Sequence, residues 1–589
     1  MKKLLCLALT LAMILLAFPV ATFAADDAPI ATQGNVGTHQ MTALDTAKAA
    51  EGYVFRIGDG TTDGEYYKTI NEVFGALDGN AATTSWAKNI VVSGTITMIA
   101  NAGAAAWNNT NADGLSFRPT TGGLTFDGNG YSVENTGTAF FMNPKGLNGT
   151  LPEGLTQSDV TIKNLTVNAK GFLNLFGDGS VPLITNVENC TVTVSTNEGI
   201  LTNQYNAGNH NNVLNMTNTV LTVAATATAA TQWYGWISPI SVQGSGNWTF
   251  NLNNSTLTNA NGYTGSDFAA AVINVLPGKN APTAMNGKNV TVNVTNGTKL
   301  VSASKAPEQW IIGAKHTGSL TVNLDATAEL VMAPAAGAAL TATKMIYHAT
   351  SENLIVSDAG AKLSASAAAV KAGIVIFNTL PKMGDALVLG WTDGENNIAT
   401  GASYTNANAT ADVTFEAVTV DGDSFSMVTG AAIRTAEPIG IRFTVKVSDA
   451  LLKAFEDFGV EATFSTVIAP YKYVQEANAD FIPDNLLKGD YVIATQESLS
   501  TTADADGYIS YYAALVDLPE TATAVNMKFA GRGIMTLTTA DGAEVVIYTD
   551  FNETDHVRSM YDVAEKVIAE AEYADNAVIK RIVELGGAQ

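Results

Sequence analysis

Two cysteines, Cys6 and Cys190, stand among 589 residues, and Cys6 falls in a segment expected to be cleaved, so no intrachain disulfide is available to the mature chain. Its stability must therefore come from burial. Arginine is scarce and unevenly placed: none lies between Arg118 and Arg434. That gap removes the base preferred for β-elimination of uronate sugars from the middle of the chain; Lys163, Lys170, Lys315 and Lys344 remain as candidates, with single scattered acids around them. The five histidines, His39, His210, His316, His348 and His556, have neither His-x-His nor His-Glu-x-x-His spacing, so a zinc site is not expected. Asn-Thr-Asp and Gly-His-Gly elements are missing as well, and Asp-Asp occurs only as Asp26-Asp27, ahead of the repeats. No metal or other cofactor is expected.

Apolar runs are short too. Lys2 and Lys3 precede the longest, Leu4 to Phe18, and Thr22 and Ala24 follow at the −3 and −1 positions of a cleavage site. Residues 1–24 thus read as a secretory signal peptide, the run being shorter than the roughly 20 residues a membrane span needs. The expectation is an exported, extracellular or surface-associated chain with no membrane insertion after signal removal. The formal charge is −24, and losing the two signal lysines takes it to −26, which argues against nucleic acid as a partner. Of the acids, 27 fall in 421–589 and 28 in the much longer 26–416, so two differently built regions are expected.

What the chain has in abundance is one phrase: an alternating run broken by Asn or Gly and followed by a second run. Its copies are VTIKNLTV, ITNVENCTVTV, VLNMTNTVLTV, WTFNLNNSTLT, VTVNVTNGTKLV, LTVNLDATAEL and LIVSDAGAKLS, between Val160 and Ser364. Spacings of roughly 25 to 40 residues suit a solenoid in which each coil buries its apolar side against its neighbours. Asn164, Asn189, Asn218, Asn254 and Asn296 recur near one place in their copies, where a sharp corner needs left-handed backbone angles. Their side chains are expected to stack and hydrogen-bond along the solenoid axis.

Before the repeats, residues 25–52 lack clear periodicity and read as a poorly ordered leader. YVFRIGDG then gives a strand, and Ile70, Val73, Phe74 and Leu77 mark one face of a short helix that covers the open solenoid end. Ile57-Gly58-Asp59, the segment Tyr67 to Val73, NIVVSGTITM and LTFDGNGYSVEN with its Asp127-Gly128-Asn129-Gly130 turn are similar to the entry segment of secreted bacterial right-handed parallel β-helix, or pectate-lyase-like, proteins. With the repeats, the resemblance spans about Tyr53 to Phe377. It implies a mainly β chain: a right-handed parallel β-helix with an N-terminal capping helix over 53–380, then last coils or a connector over 381–420. The scaffold hosts lyases, hydrolases, isomerases and adhesins alike.

Residues 421–589 read as a β-rich α+β module. FSMVTGAAIR, IGIRFTVKV, FSTVIAPY, YISYYAALVDL, VNMKFAGRGIMTLTT and EVVIYTDF alternate apolar and polar residues as in an antiparallel sheet packed on one face. Two helices follow, about Asp555 to Ala571 and Asn576 to Leu585, with Gly586 as C-cap. Asp504-Ala505-Asp506-Gly507 is a hairpin turn, since Thr502 and Ala513 occupy places where a calcium loop needs ligands. Gly430 to Arg434, Glu437-Pro438, Gly440 to Phe443, Ile468-Ala469-Pro470, Ala530 to Gly533 and Arg558-Ser559 resemble a C-terminal module of unassigned function that recurs in secreted proteins of Gram-positive anaerobes.

Two groups of candidate site residues emerge. Tyr205, Trp233, Tyr234, Trp236 and Trp310 stand in segments between copies, where planar rings either stack on sugars or pack as loop core. Arg434, Glu437, Arg442, Arg532 and Arg558 concentrate a scarce residue, forming either an anionic-ligand site or a salt-bridge network. The expected function is a non-catalytic, adhesin-like protein that binds polysaccharide or glycoprotein along the solenoid. The alternative is a carbohydrate-active enzyme, lyase or hydrolase, on the same scaffold.

Overall fold

A computed structural model describes residues 39–78, 90–107, 115–134, 141–143, 156–175, 181–196, 199–202, 210–228, 237–244, 246–265, 270–276, 285–383, 386–420, 422–495, 497–498, 502–539, 542 and 544–588. The fold is mainly β, with long parallel sheets compatible with a β-helix-like solenoid. Each repeated phrase contributes one strand to each of two sheets, and the segment between phrases contributes a strand to a third.

The first face runs from Ser158–Lys163 through Leu183–Glu188, Asn211–Thr217, Asn247–Asn253, Val290–Thr295 and Leu320–Leu324 to Leu354–Asp358. Its strands pair in parallel, each with its counterpart in the next copy. The second face stacks Thr166–Ala169, Thr191–Val194, Val220–Val223, Thr256–Asn259, Lys299–Ser302, Glu329–Met332 and Lys362–Ala365 in the same way. The third stacks Leu173–Leu175, Ile200–Thr202, Ile240–Val242, Ala270–Val275, Glu308–Ala314 and Ala342–His348. On the first two faces alternation is sharp: Val290, Val292 and Val294 are buried while Thr291, Asn293 and Thr295 are half-buried on the opposite side. In its middle strands the third face is buried on both sides, as the unbroken burial of Ala270–Val275 shows.

The corner asparagines behave as expected. Asn164, Asn189, Asn218, Asn254 and Asn296 all have φ between 46° and 54°. Nδ2 of Asn189, Asn218 and Asn254 donates to Oδ1 of the preceding corner asparagine at 3.2, 3.1 and 2.7 Å. Asn164 reaches Asp127 at 3.0 Å, and Asn296 steps sideways to Asn253 at 3.1 Å. Just inside the corner runs a buried column of small residues. The backbone N–H of Cys190, Thr219 and Ser255 donates to the hydroxyl of Thr219, Ser255 and Thr298 respectively. Cys190 is therefore the thiol member of a hydroxyl column, its Sγ lying 3.3 Å from the carbonyl oxygen of Glu188.

At the N-terminal end, Ile70–Asp78 forms the expected helix and buries Ile70 and Val73 against the solenoid core. The leader departs from expectation, since Ala43–Ala50 is a helix. Its information is polar rather than periodic: Thr42 and Asp45 close a capping box, and the buried Asp45 carboxylate also accepts from Arg56 at 3.1 Å and from the Tyr66 hydroxyl at 2.8 Å.

The C-terminal end differs from the single sheet expected. Two five-stranded antiparallel sheets form, one centred on Gly440–Ser448 and Tyr508–Val516, the other on Glu461–Pro470 and Phe529–Thr538. The helix Asp449–Phe458 joins them, between an Ser448 N-cap and a left-handed Gly459, with Leu451, Phe455 and Phe458 buried. The helix expected from Asp555 is broken, because Val557 and Arg558 pair with Ala530 and Phe529 before Met560–Val567 resumes. Gly586 is not a C-cap: it lies inside Ala577–Gly587, where a Cβ would stand 2.1 Å from the Tyr561 ring. The Asp504–Gly507 turn holds as read, with Gly507 at φ 84° and its N–H donating to the Asp504 carbonyl.

The strand Ala386–Thr392 joins the regions. Val388 and Trp391 belong to the solenoid core, while Leu387 and Leu389 belong to the core of the C-terminal module. Val413–Val420 caps the second face by pairing antiparallel with Lys362–Ala365, and then pairs with Ala386–Thr392. Among the described residues no helix is long and apolar enough to cross a membrane.

Two stability outcomes follow from the corners. Asn218→Ala loses both ladder bonds and puts a residue that tolerates left-handed backbone less well than asparagine at the corner, which should cost about 2–4 kcal/mol, whereas Asn218→Gly should cost about half as much because glycine adopts that backbone freely and mainly the bonds are lost. Equilibrium denaturation of the two variants measures that difference. Burial pushes the Cys190 thiol up to about 12. Alkylation of the folded protein near pH 8 should therefore proceed only at the rate of opening, and should accelerate on addition of denaturant.

Candidate binding face

Outward residues of the first face line up in columns because the parallel register places one copy over the next. Thr249, Thr291 and Thr321 are register partners in successive strands. Beside them Asn186, Asn215, Asn251, Asn293 and Asn323 form a second amide ladder. Each Nδ2 donates to the residue before it: Asn186 to Thr161 Oγ1 at 3.1 Å, Asn215 to Asn186 at 2.8 Å, and Asn251, Asn293 and Asn323 each at 2.7 Å. One N–H and one oxygen lone pair per rung remain for a ligand. The result is a flat, uncharged array with rungs about 4.8 Å apart. Only the corner ladder was read from sequence. The second was equally present in the Asn at the middle of VLNMT, FNLN, VNVT and VNLD.

Several acids of the solenoid are bound up in its structure. Lys163 meets Asp127 at 3.5 Å, and Glu329 sits between Lys299 and Lys362 at 3.5 and 3.6 Å on the second face. Asp325 accepts from the N–H groups of Asn296 and Thr327, and Asp358 from those of Gly360 and Ala361. Glu308 accepts from Lys344 at 2.7 Å and from Trp310 Nε1 at 3.1 Å; against the upward push of burial, Lys344 holds its carboxyl below the usual range.

Of the aromatic candidates, Tyr205, Trp233, Tyr234 and Trp236 lie outside the described residues. Trp310 is fully buried, packed with Ala271, Leu276 and Tyr347 on the outside of the third face. Lys315 and Lys344 stand 4.8 and 5.1 Å from its ring centroid, so in this arrangement the indole is loop core with no face open to a sugar. The arginine group is likewise dispersed. Arg434 donates to the backbone oxygens of Pro438 and Glu437, and Arg558 to those of Thr554 and Val557. Arg442 lies 5.0 Å from the Tyr512 ring centroid, and Arg532 pairs with Asp480 at 2.7 Å. No two members of this group are joined by an ion pair among the described residues.

The histidines hold a surprise that motif spacing does not reveal. His316 and His348 are separated by about one coil, and the pairing of Ala314 with His348 brings the rings to 5.1 Å between centroids. Both are buried. Nε2 of each meets a backbone oxygen, Lys288 at 2.9 Å and Gly318 at 3.0 Å, while His348 Nδ1 accepts from the Thr350 N–H. His316 Nδ1 is buried without a partner among the described residues. Burial, aided by the neighbouring ring, lowers His316 to about 4, and burial lowers His348 as well.

No family model, no curated protein and no solved structure matches the chain. The β-helix resemblance accordingly rests on the motif residues and on the stacked parallel sheets.

The histidine pair gives a pH dependence of defined sign. Between the folded value near 4 and the unfolded value near 6.5 the unfolded chain binds more protons, so stability falls as pH drops through this window and levels off below it. His316 contributes up to about 3 kcal/mol of that loss. Thermal unfolding at pH 7.0 and 4.5 should show the difference narrowing in His316→Gln, in which the amide keeps a donor for Lys288 without taking up a proton.

Proposed function

We propose that this is an exported, non-catalytic, adhesin-like protein whose right-handed parallel β-helix, of the pectate-lyase-like kind, lays its first face against a polysaccharide or glycoprotein chain. The supporting observation is the Thr249–Thr291–Thr321 column beside the Asn186–Asn323 amide ladder, a rigid uncharged surface of regularly spaced donors and acceptors. Neutral glycans are recognised by such groups at little entropic cost, because the ladder has already fixed the side chains. Asp325, Asp358, Glu308 and Glu329 are engaged in turns and ion pairs, which weighs against their service in hydrolysis. Export rests on the N-terminal sequence pattern, and an extracellular position suits a chain of strongly negative charge.

Incubation of the protein with a polysaccharide panel tests the reading, scored both for retention and for release of reducing or unsaturated ends. Retention without release is expected. Thr291→Arg places a bulky charge at the centre of the column and should weaken retention at least about tenfold with an unchanged melting temperature, whereas Lys299→Ala on the second face should leave it intact. Release of ends that disappears with an acid-to-amide substitution overturns the proposal in favour of an enzyme.

A further inference from the structure

A cavity of about 760 Å³ opens where the last solenoid strands meet the C-terminal module. Lys382 and Leu387 come from the solenoid side, and Phe425, Met427, Leu451 and Met535 supply an apolar floor from the module. Its volume lies in the range of small-molecule sites, and a junction between two packed regions is where such sites are often found.

Its polar lining includes side-chain donors that no protein group takes up among the described residues. His556 is only 6% exposed. Its Nδ1 accepts the backbone N–H of Asn552 at 3.1 Å, which fixes the neutral tautomer with hydrogen on Nε2. Burial lowers its basicity, so the ring stays neutral near pH 7. Among the described residues Nε2 has no hydrogen-bond partner. Arg532, 9% exposed, spends Nε on the Thr549 carbonyl at 2.6 Å and Nη1 on Asp480 and the Phe481 carbonyl, which leaves Nη2 without a protein partner among the described residues. Opposite charge is available nearby, since Asp423, Asp550 and Asp555 also line the cavity.

We infer that this junction cavity is a second binding site, for a neutral mono- or disaccharide. An apolar ligand would cover the His556 and Arg532 donors without pairing them. Anionic sugars would meet three carboxylates, and a compact cation would face the Arg532 guanidinium. A pyranose presents hydroxyls that both donate and accept along its edge, and C–H faces that suit Phe425 and Met427. The site is distinct from the first face and does not depend on the reading of that face.

Thermal unfolding and calorimetric titration of the full chain decide the matter, with maltose, cellobiose and lactose at 10 mM as probes and galacturonate and putrescine as charged controls. At least one neutral disaccharide should raise the melting temperature by about 2–4 °C, and the controls should not. Asp550→Ala and Asp423→Ala should keep the unliganded melting temperature and lose most of the shift. A second variant, Ser426→Trp, fills the cavity mouth and should abolish it. Thr291→Arg should leave the shift untouched, which separates this site from the first face. Absence of a shift with all three disaccharides, a larger shift with either control, or a shift that survives both the aspartate and Ser426→Trp substitutions overturns the inference.

Discussion

A strand that must end, turn sharply and resume in a neighbouring sheet needs one residue in left-handed backbone, and this chain meets that need with asparagine. Glycine would supply the angle at greater entropic cost and without a side chain. Asparagine supplies the angle and an amide that donates to the coil before it and accepts from the coil after it, as Asn189 does between Asn164 and Asn218. Register follows from this contact. A one-residue slip would turn the buried valines of the first face, such as Val290, Val292 and Val294, outward and break the ladder at the same time. The buried column of Cys190, Thr219, Ser255 and Thr298 adds a second lock on the inner side of the same corner, since each hydroxyl accepts a backbone N–H from the preceding coil.

Fixed register gives each face its own chemistry. On the first face it aligns threonine with threonine and asparagine with asparagine, so that the amides hold one another in place and the columns from Thr249 to Thr321 and from Asn186 to Asn323 carry no charge. On the second it aligns Lys299, Glu329 and Lys362, exposed ion pairs worth little to stability but sufficient to make that surface ionic. On the third it buries the outer side of the sheet, where Trp310 becomes core for whatever lies beyond the strands. The phrase and the segment that follows it thus yield three unlike surfaces. Only the first combines exposure, rigidity and unspent hydrogen-bonding capacity.

Corners and strands were legible in the sequence because both are local: Asn at a fixed offset signals left-handed backbone, and alternation signals a half-buried strand. The capping helix Ile70–Asp78 was legible for the same reason. What escaped depends on residues far apart in the chain. His316 and His348 become neighbours only through the Ala314–His348 pairing, and Trp310 loses its exposure to Lys344 and Tyr347 of the next coil. Helix Ala43–Ala50 escaped because its anchor is the buried Asp45, whose partners Arg56 and Tyr66 lie well downstream. The arginines of the C-terminal module looked like a cluster in composition alone. Antiparallel sheets placed Arg434 and Arg442 on one sheet and Arg532 and Arg558 on the other.

The same reasoning explains why the C-terminal module is more than an appendage. A solenoid built by edge-to-edge stacking ends in unpaired strand edges, which invite further copies to add. Here Val413–Val420 reverses direction and seals the second face, and Ala386–Thr392 then alternates its side chains between two cores. Gly390 has no room for a Cβ, because Phe458 of the module lies 2.5 Å from where one would stand. Such close packing ties closure of the solenoid to folding of the module. It also creates, at the margin of that contact, a cavity where an apolar floor, side-chain donors and carboxylates converge, so the element that ends the repeat also helps to form a pocket.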